Sequence, residues 1–178
     1  MALVFQYGSN ATTARLNGPR RLNGHASDRG LACTAVGFDI AFDVMSNNNG
    51  CAACDLIPVP GRIVWGVLYD IEPELIRGHR QDGQKTLAEI EGGSYEEMIV
   101  RVTDQAGEQH DAVTFVVRPD KRITGIPTSA AYVSWIVYGL RDHGVSENYL
   151  EHVIDVAIQT NESAQQSAIE QIRLIKNL

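Results

Sequence analysis

Strands crowd the first two thirds of this chain and helices the last third, and that order most limits the folds open to it. Apolar, β-prone segments run from Leu3 to Tyr7 and from Ala35 to Val44, the latter around Phe38, Ile40 and Phe42. Arg62 to Tyr69 (RIVWGVLY) is the strongest β signal, with β-branched and aromatic residues throughout. A short piece, Leu56 to Val59, is stopped by Pro58 and Pro60. Met98 to Thr103 and Ala112 to Val117 read as a hairpin-like pair joined by the polar stretch Asp104 to Asp111. Beyond Ser129 the spacing turns helical. Tyr132, Trp135, Ile136 and Leu140 share one stripe, Asn148 to Ile158 repeats it, and Asn161 to Leu178 gives a last amphipathic helix through Ile169, Ile172 and Ile175. The expectation is an α+β fold: a mixed, largely antiparallel β-barrel or sheet flanked by helices. No repeat, low-complexity stretch or linker divides the 178 residues, so one domain (1–178) is expected.

Local signals refine this outline. Gly66, inside RIVWGVLY, marks a bulge or a close approach of backbone or ligand. Residues 17–30 carry Gly18, Pro19, Gly24 and Gly30 and read as a loop-rich connection after a helix start at Ala11 to Leu16. The four arginines between 15 and 29 suit a solvated face, with attraction of an anionic substrate as the alternative. Asn47 to Gly50 is a turn, and Pro73 suits the first position of a short helix. Thr86 and Glu89 match a capping box, and Gly92 and Gly93 supply a helix stop.

Fifteen basic residues against 22 acidic ones give a net charge of −7, which argues against nucleic acid and anionic membranes as partners. No run approaches the roughly 18 apolar residues of a spanning helix. Met1 to Phe5 is too short for a signal core and lacks a basic flank. Cys33, Cys51 and Cys54 are an odd, sparse set, so a disulfide framework is not expected and the cytoplasm is the expected compartment. No second C-x-x-C accompanies Cys51 and Cys54, so a mobile loop with free thiols is preferred to a zinc site. The five histidines show no ligand spacing, and His143 reads as a helix C-terminal cap.

Two short segments carry the chemistry. Tyr7-Gly8-Ser9-Asn10 closes the first strand. By composition it is a strand-end turn; functionally, it is a nest of backbone N–H groups converging on a carboxylate or oxyanion. No G-K-[ST] follows and no G-x-G-x-x-G is present, so neither a P-loop nor a dinucleotide site is indicated. Glu91-Gly92 ends the short helix of mid-chain. The plain alternative is a solvated glutamate. Against it, the negative helix end and the neighbouring Glu89, Glu96 and Glu97 favour the protonated form, which suits a general acid or base.

These elements, in this order, resemble the γ-glutamylcyclotransferase family. The resemblance extends through Val64 to Tyr69 before the Glu91-Gly92 element, Tyr95 and Ile99 to Thr103 after it, and the A-x-T-F-V segment Ala112 to Val116. It continues through Ile126-Pro127-Thr128-Ser129 leading to Tyr132, then Tyr138-Gly139-Leu140, then Val145 to Leu150, covering roughly residues 3 to 155. Ala88 stands where many relatives carry Asp, Ala11 where Leu or Met is common, and residues 45–56 have no counterpart. The resemblance implies an intramolecular reaction in which the α-amine of a γ-glutamyl group attacks its own γ-carbonyl. It releases 5-oxoproline and an amine or amino acid. It assigns the proton-transfer role to Glu91, substrate binding to the Gly8, Ser9 and Asn10 backbone, and pocket positions to Tyr7, Tyr95 and Tyr132. The implied partner is a small γ-glutamyl compound, with no metal or cofactor required; a homodimer is left open. A non-catalytic binding member of the same fold is the rival reading.

Overall fold

The computed structural model describes residues 1–80, 82–162 and 166–177. Its centre is a closed barrel in the order β1-β5-β2-β6-β7, formed by Ala2–Gln6 (β1), Ala26–Thr34 (β2), Trp65–Ile71 (β5), Tyr95–Asp104 (β6) and Gln109–Val117 (β7). Phe38–Ser46 (β3) and Cys51–Pro58 (β4) form a separate two-stranded sheet. Antiparallel ladders join β1 to β5, β5 to β2, β2 to β6 and β6 to β7. One parallel bridge, Val4 opposite Val113, closes the ring between β1 and β7. The mixed, largely antiparallel barrel expected from the sequence is therefore present. Closure leaves few free strand edges to pair with other chains.

The expected β1, the RIVWGVLY strand and the β6–β7 hairpin all form. Gly66 is the close approach anticipated: a Cβ there would sit 2.6 Å from the Gln6 carbonyl oxygen and from the Phe5 ring, so only glycine lets β1 and β5 close together. Register shifts lie elsewhere, in β2 between Asp28 and Gly30 and in β3 between Phe42 and Val44. The loop-rich connection expected over 17–30 is corrected by β2. Its Ser27, Asp28 and Arg29 are exposed, so it lacks apolar alternation and is held by backbone pairing to β5. The Asn47–Gly50 turn forms as expected, but the mobile loop expected at Cys51 and Cys54 is corrected: both lie in β4, whose residues Cys51 to Leu56 are all buried. A strand buried on both faces reads as a continuous small apolar run rather than an alternating one.

The α-helices are Thr13–Leu16 (α1), Leu87–Glu91 (α2), Ala130–Asp142 (α3), Glu147–Thr160 (α4) and Gln166–Leu174 (α5), and the short helix expected at Pro73 is a 3-10 turn, Pro73–Leu75. The last expected helix, Asn161 to Leu178, includes Ser163, Ala164, Gln165 and Leu178, which lie outside the described residues. His143 does cap α3. Its Nδ1 is 2.6 Å from the Gly139 carbonyl oxygen and its Nε2 2.7 Å from Asp28. Val133, Ile136, Val137 and Leu140 of α3 are fully buried in the main core, which runs continuously from the barrel into α4. Among the described residues no helix is long and apolar enough to cross a membrane.

A buried acid helps fasten the two-stranded sheet to the barrel. Asp55 Oδ1 accepts the backbone N–H groups of Leu56 and Val117, each at 2.7 Å, and its Oδ2 receives the Arg122 guanidinium at 2.9 Å. Burial and the nearby Asp55 push neighbouring Asp43 up to about 6, against the pull of Arg122. Removing the carboxylate would strand two buried amides and uncouple Arg122. Asp55→Ala is therefore expected to lower stability by about 2–4 kcal/mol in urea unfolding; an unchanged midpoint would show that Asp55 does not fasten the sheet.

Candidate active site

The Y-G-S-N segment leaves β1 and forms a one-turn 3-10 helix, Ser9–Ala11, whose three residues are all buried. Gly8 precedes it with φ −94° and ψ −152°, an extended conformation open to other residues, so the left-handed dihedrals expected of a nest are not used. A Cβ at Gly8 would make only ordinary contacts, 3.5 Å from Cys54 Cβ and 3.8 Å from the Tyr132 hydroxyl. The Ala11 N–H bonds the Gly8 carbonyl at 2.9 Å, while the Ser9 and Asn10 N–H groups donate to no acceptor among the described residues. The turn is seated on α3. A Cβ at Gly139 would lie 2.5 Å from the Thr12 nitrogen and 2.6 Å from the Ala11 carbonyl carbon, and the Thr12 hydroxyl donates to the Trp135 carbonyl. Gly139 thus sets how closely the helix approaches the turn.

Glu91 comes from the opposite side. The expected capping box exists: the Thr86 N–H donates to Glu89 Oε2 at 2.8 Å, and the Glu89 N–H reaches the Thr86 hydroxyl at 3.4 Å. One helical turn later the chain must leave at once. Gly92 does this with φ 81° and ψ 174°, a region that essentially only glycine occupies. That requirement explains the Glu-Gly pair in purely local terms.

The two segments, separated by 81 residues, meet through a 2.8 Å hydrogen bond from Asn10 Nδ2 to Glu91 Oε1. All seven residues singled out in the sequence, Tyr7, Gly8, Ser9, Asn10, Glu91, Tyr95 and Tyr132, line one small recess. It adjoins a cavity of about 270 Å³ that shares Ser9, Asn10, Glu91, Tyr95 and Tyr132. The Tyr7 hydroxyl donates to the Phe115 carbonyl at 2.6 Å and that of Tyr95 to the Cys54 carbonyl at 2.8 Å. The Tyr132 hydroxyl accepts the Cys54 N–H at 3.1 Å. Burial raises all three tyrosine pKa values, so they face the recess as neutral hydroxyls.

The Glu91 pKa is raised above its ordinary value of 4.5, the direction expected, but for a different reason. Burial drives it up. The Arg21 charge, the Asn10 and Gln6 amides and then the Arg15 charge pull it back. The neighbouring glutamates are engaged elsewhere, Glu89 in the capping box and Glu97 with Arg77. Two further cavity walls are formed by residues outside the expected site, the arginines being expected chiefly on a solvated face. Arg15 and Arg21 turn inward instead. The β3–β4 turn brings Asn47, Asn48 and Asn49 to the mouth, and β4 brings Cys54 to the recess. Cys51 and Cys54 are three residues apart on a strand and so point to opposite faces. The Ser129 hydroxyl contacts Cys51 Sγ at 3.4 Å. No cluster of metal-ligating side chains occurs among the described residues.

The fold thus places one recess at the mouth of the barrel, between β1, α2 and β4. A solved structure named gamma-glutamyl cyclotransferase superposes with a TM-score of 0.72 at 22% identity, covering 99% of both chains. An uncharacterized protein from Homo sapiens gives 0.72 and 22%, covering 98% of both. YkqA from Bacillus subtilis gives 0.67 and 20%, with 88% of this chain matching 54% of that one. No curated protein matches significantly. The profile of the AIG2-like family matches residues 63–153, a segment that holds Glu91, Tyr95 and Tyr132, and the chain belongs to that family.

Because Gly139 meets the backbone of Ala11 and Thr12, Gly139→Ala is expected to lower stability by about 1–3 kcal/mol in urea unfolding. Wild-type stability in that variant would mean that the turn is not held against α3.

Proposed function

We propose that the chain is a γ-glutamyl cyclotransferase in which Glu91 is the proton-transfer residue. The observation that carries this reading is the single recess holding both the Glu91 carboxyl group and the Ser9–Asn10 turn. The reaction needs one group to take a proton from the substrate ammonium. The freed amine nitrogen then forms a bond to the γ-carbonyl carbon, and the oxyanion that develops collapses as the carbon–nitrogen bond to the leaving amine breaks. Glu91 receives the ammonium proton and delivers it to that leaving nitrogen, and the second proton, shed as the attacking nitrogen becomes the lactam N–H, passes to the released amine, which departs as an ammonium, so no co-reactant is consumed. The unengaged Ser9 and Asn10 N–H groups are the candidate donors to the oxyanion, where one such donor is worth about 3 kcal/mol. The tyrosine-lined walls hold the glutamyl chain folded, which makes the attack intramolecular. The substrate is a small γ-glutamyl compound, and the three free cysteines suit a reducing compartment such as the cytoplasm.

Glu91→Gln is expected to cut 5-oxoproline release from a γ-glutamyl substrate by about 10²–10⁴-fold, the range of general acid–base catalysis. Near wild-type release, followed by mass spectrometry, would remove Glu91 from this role. The same variant has a stability signature. The folded-state pKa of Glu91 is raised, so ionising it weakens the fold as pH climbs through that pKa. Glutamine avoids this loss, and the Tm of Glu91→Gln at pH 7 is expected to equal or exceed that of wild type.

The base must be deprotonated, so kcat/KM is expected to fall on the acid side as Glu91 takes up a proton. The inflection should lie above the ordinary glutamate value of 4.5 because burial raises this group. An acid limb at or below that value would contradict a buried base.

A further inference from the structure

The acid that helps fasten the β3–β4 sheet has a second carboxyl group beside it. Asp43 of β3 and Asp55 of β4 share the Arg122 guanidinium, whose Nε lies 3.7 Å from Asp43 Oδ2 and 2.9 Å from Asp55 Oδ2. With both acids ionised, two carboxylates face one guanidinium and one negative charge is left over; a single bound proton removes it. The hydrogen bonds show which acid takes that proton. Burial lifts the Asp55 carboxyl, but the Val117 N–H, Arg122 and the Leu56 N–H all donate to it and favour its ionised form. Asp43 Oδ1, by contrast, is buried and bonds to nothing among the described residues. A neutral carboxyl tolerates that setting better than a charged one, so the proton belongs on Asp43. The Asp43 side chain is 18% exposed, which leaves the proton a route from solvent.

Other charged groups on the elements around β3 are engaged elsewhere. His152 of α4 bonds Asp39, at the start of β3, at 2.6 Å, and Arg62 lies on the other oxygen of Asp39. Glu147 of α4 pairs with Arg141, and Glu151 and Asp155 face Lys176. Arg118 and Lys121, on the segment that carries Arg122, pair with Asp120. Cys54 of β4 is a neutral thiol, its pKa raised by burial and then by Asp55 and Asp43. Asp55 and Arg122 remain as the charges that act on Asp43.

We propose that Asp43, Asp55 and Arg122 form a proton-operated clasp that grips the β3–β4 sheet when Asp43 is protonated and slackens when Asp43 ionises. The clasp reaches the barrel from both strands. The Asp43 carbonyl accepts the Ile123 N–H at 2.6 Å, and Asp55 accepts the Val117 N–H of β7 at 2.7 Å. Next to Asp55, the Cys54 N–H donates to the Tyr132 hydroxyl and the Cys54 carbonyl accepts that of Tyr95. A slack clasp therefore loosens one wall of the recess, whatever ligand the recess takes. Burial and then Asp55 raise the Asp43 pKa from 3.8 to about 6, against the pull of Arg122. A raised folded-state value means that the grip is complete below the ordinary carboxylate range and is lost as pH climbs through about 6. The sheet is held more tightly in mild acid than at neutrality.

A carbon NMR titration of the aspartate carboxyl groups in the wild-type protein tests the first half of this. The Asp43 midpoint is expected near 6, and in Arg122→Gln it should move higher still, because the guanidinium holds it down. A midpoint at the ordinary 3.8 would overturn the proposal. Amide hydrogen exchange reads the grip itself. Wild-type protection of the Val117 and Ile123 amides is expected to fall about tenfold between about pH 5 and about pH 7.5, the equivalent of one pKa unit. Asp43→Asn, which cannot ionise, should keep its protection over that range and match wild type at the acid end. This comparison separates Asp43 from Glu91, which is also raised and is unchanged in the variant. Constant wild-type protection, or a fall that Asp43→Asn shares in full, would overturn the clasp even with Asp43 titrating near 6.

Discussion

The Asn10–Glu91 hydrogen bond is the contact on which the site depends. It joins the turn after the first strand to the end of a five-residue helix in mid-chain, two pieces too short to hold any geometry alone. Each piece is fixed by something larger. The turn rests on α3 through Gly139, and β1 is drawn against β5 through Gly66. Glu91 is delivered by a capped helix and released by a glycine in a backbone region closed to other residues. Two glycines admit close packing and one admits a sharp exit, so the site is placed by backbone geometry.

The electrostatics follow from that placement. Burial raises the Glu91 pKa, and Arg21, Asn10 and Gln6 keep it from rising without limit. The outcome is a carboxylate that gains a proton more readily than a surface glutamate yet keeps enough stabilisation to ionise, which is the compromise a general base needs. The cost falls on folding: an ionised, closed-in carboxylate weakens the structure that confines it, a common trade between stability and activity. The neutral hydroxyl groups of Tyr7, Tyr95 and Tyr132 line the same recess without adding charge.

Much of this was legible in the sequence wherever local physics and tertiary role agree. Trp65 to Tyr69 of RIVWGVLY fall in β5 because their aromatic and β-branched side chains suit a packed strand and Gly66 admits the close approach of β1. The Thr86–Glu89 capping box and the His143 cap form because their partners lie within a few residues. The seven site residues were named from segments whose order resembles a known family, and they share a recess. What stayed hidden depends on distant partners. β2 shows exposed Ser27, Asp28 and Arg29 and is a strand only because β5 and β6 pair with it. Cys51 to Leu56 hide a strand because both its faces are covered. Arg15 and Arg21 look like surface charges until the chain folds Asn10, Trp135 and the β3–β4 turn around them. The raised pKa of Glu91 was anticipated from helix-end and neighbour charges, whereas burial, invisible in a linear reading, is its cause.

The central claim is that the Ser9–Asn10 turn and Glu91 grip opposite sides of one γ-glutamyl-derived ligand. An amide NMR titration of the ¹⁵N-labelled protein with 5-oxoproline addresses it most directly. The result expected is that the largest shifts fall on the Ser9 and Asn10 amides and on Gly92, saturating together with a single Kd. Saturable shifts confined to residues away from the recess, or no shifts at any concentration of 5-oxoproline, would contradict the claim.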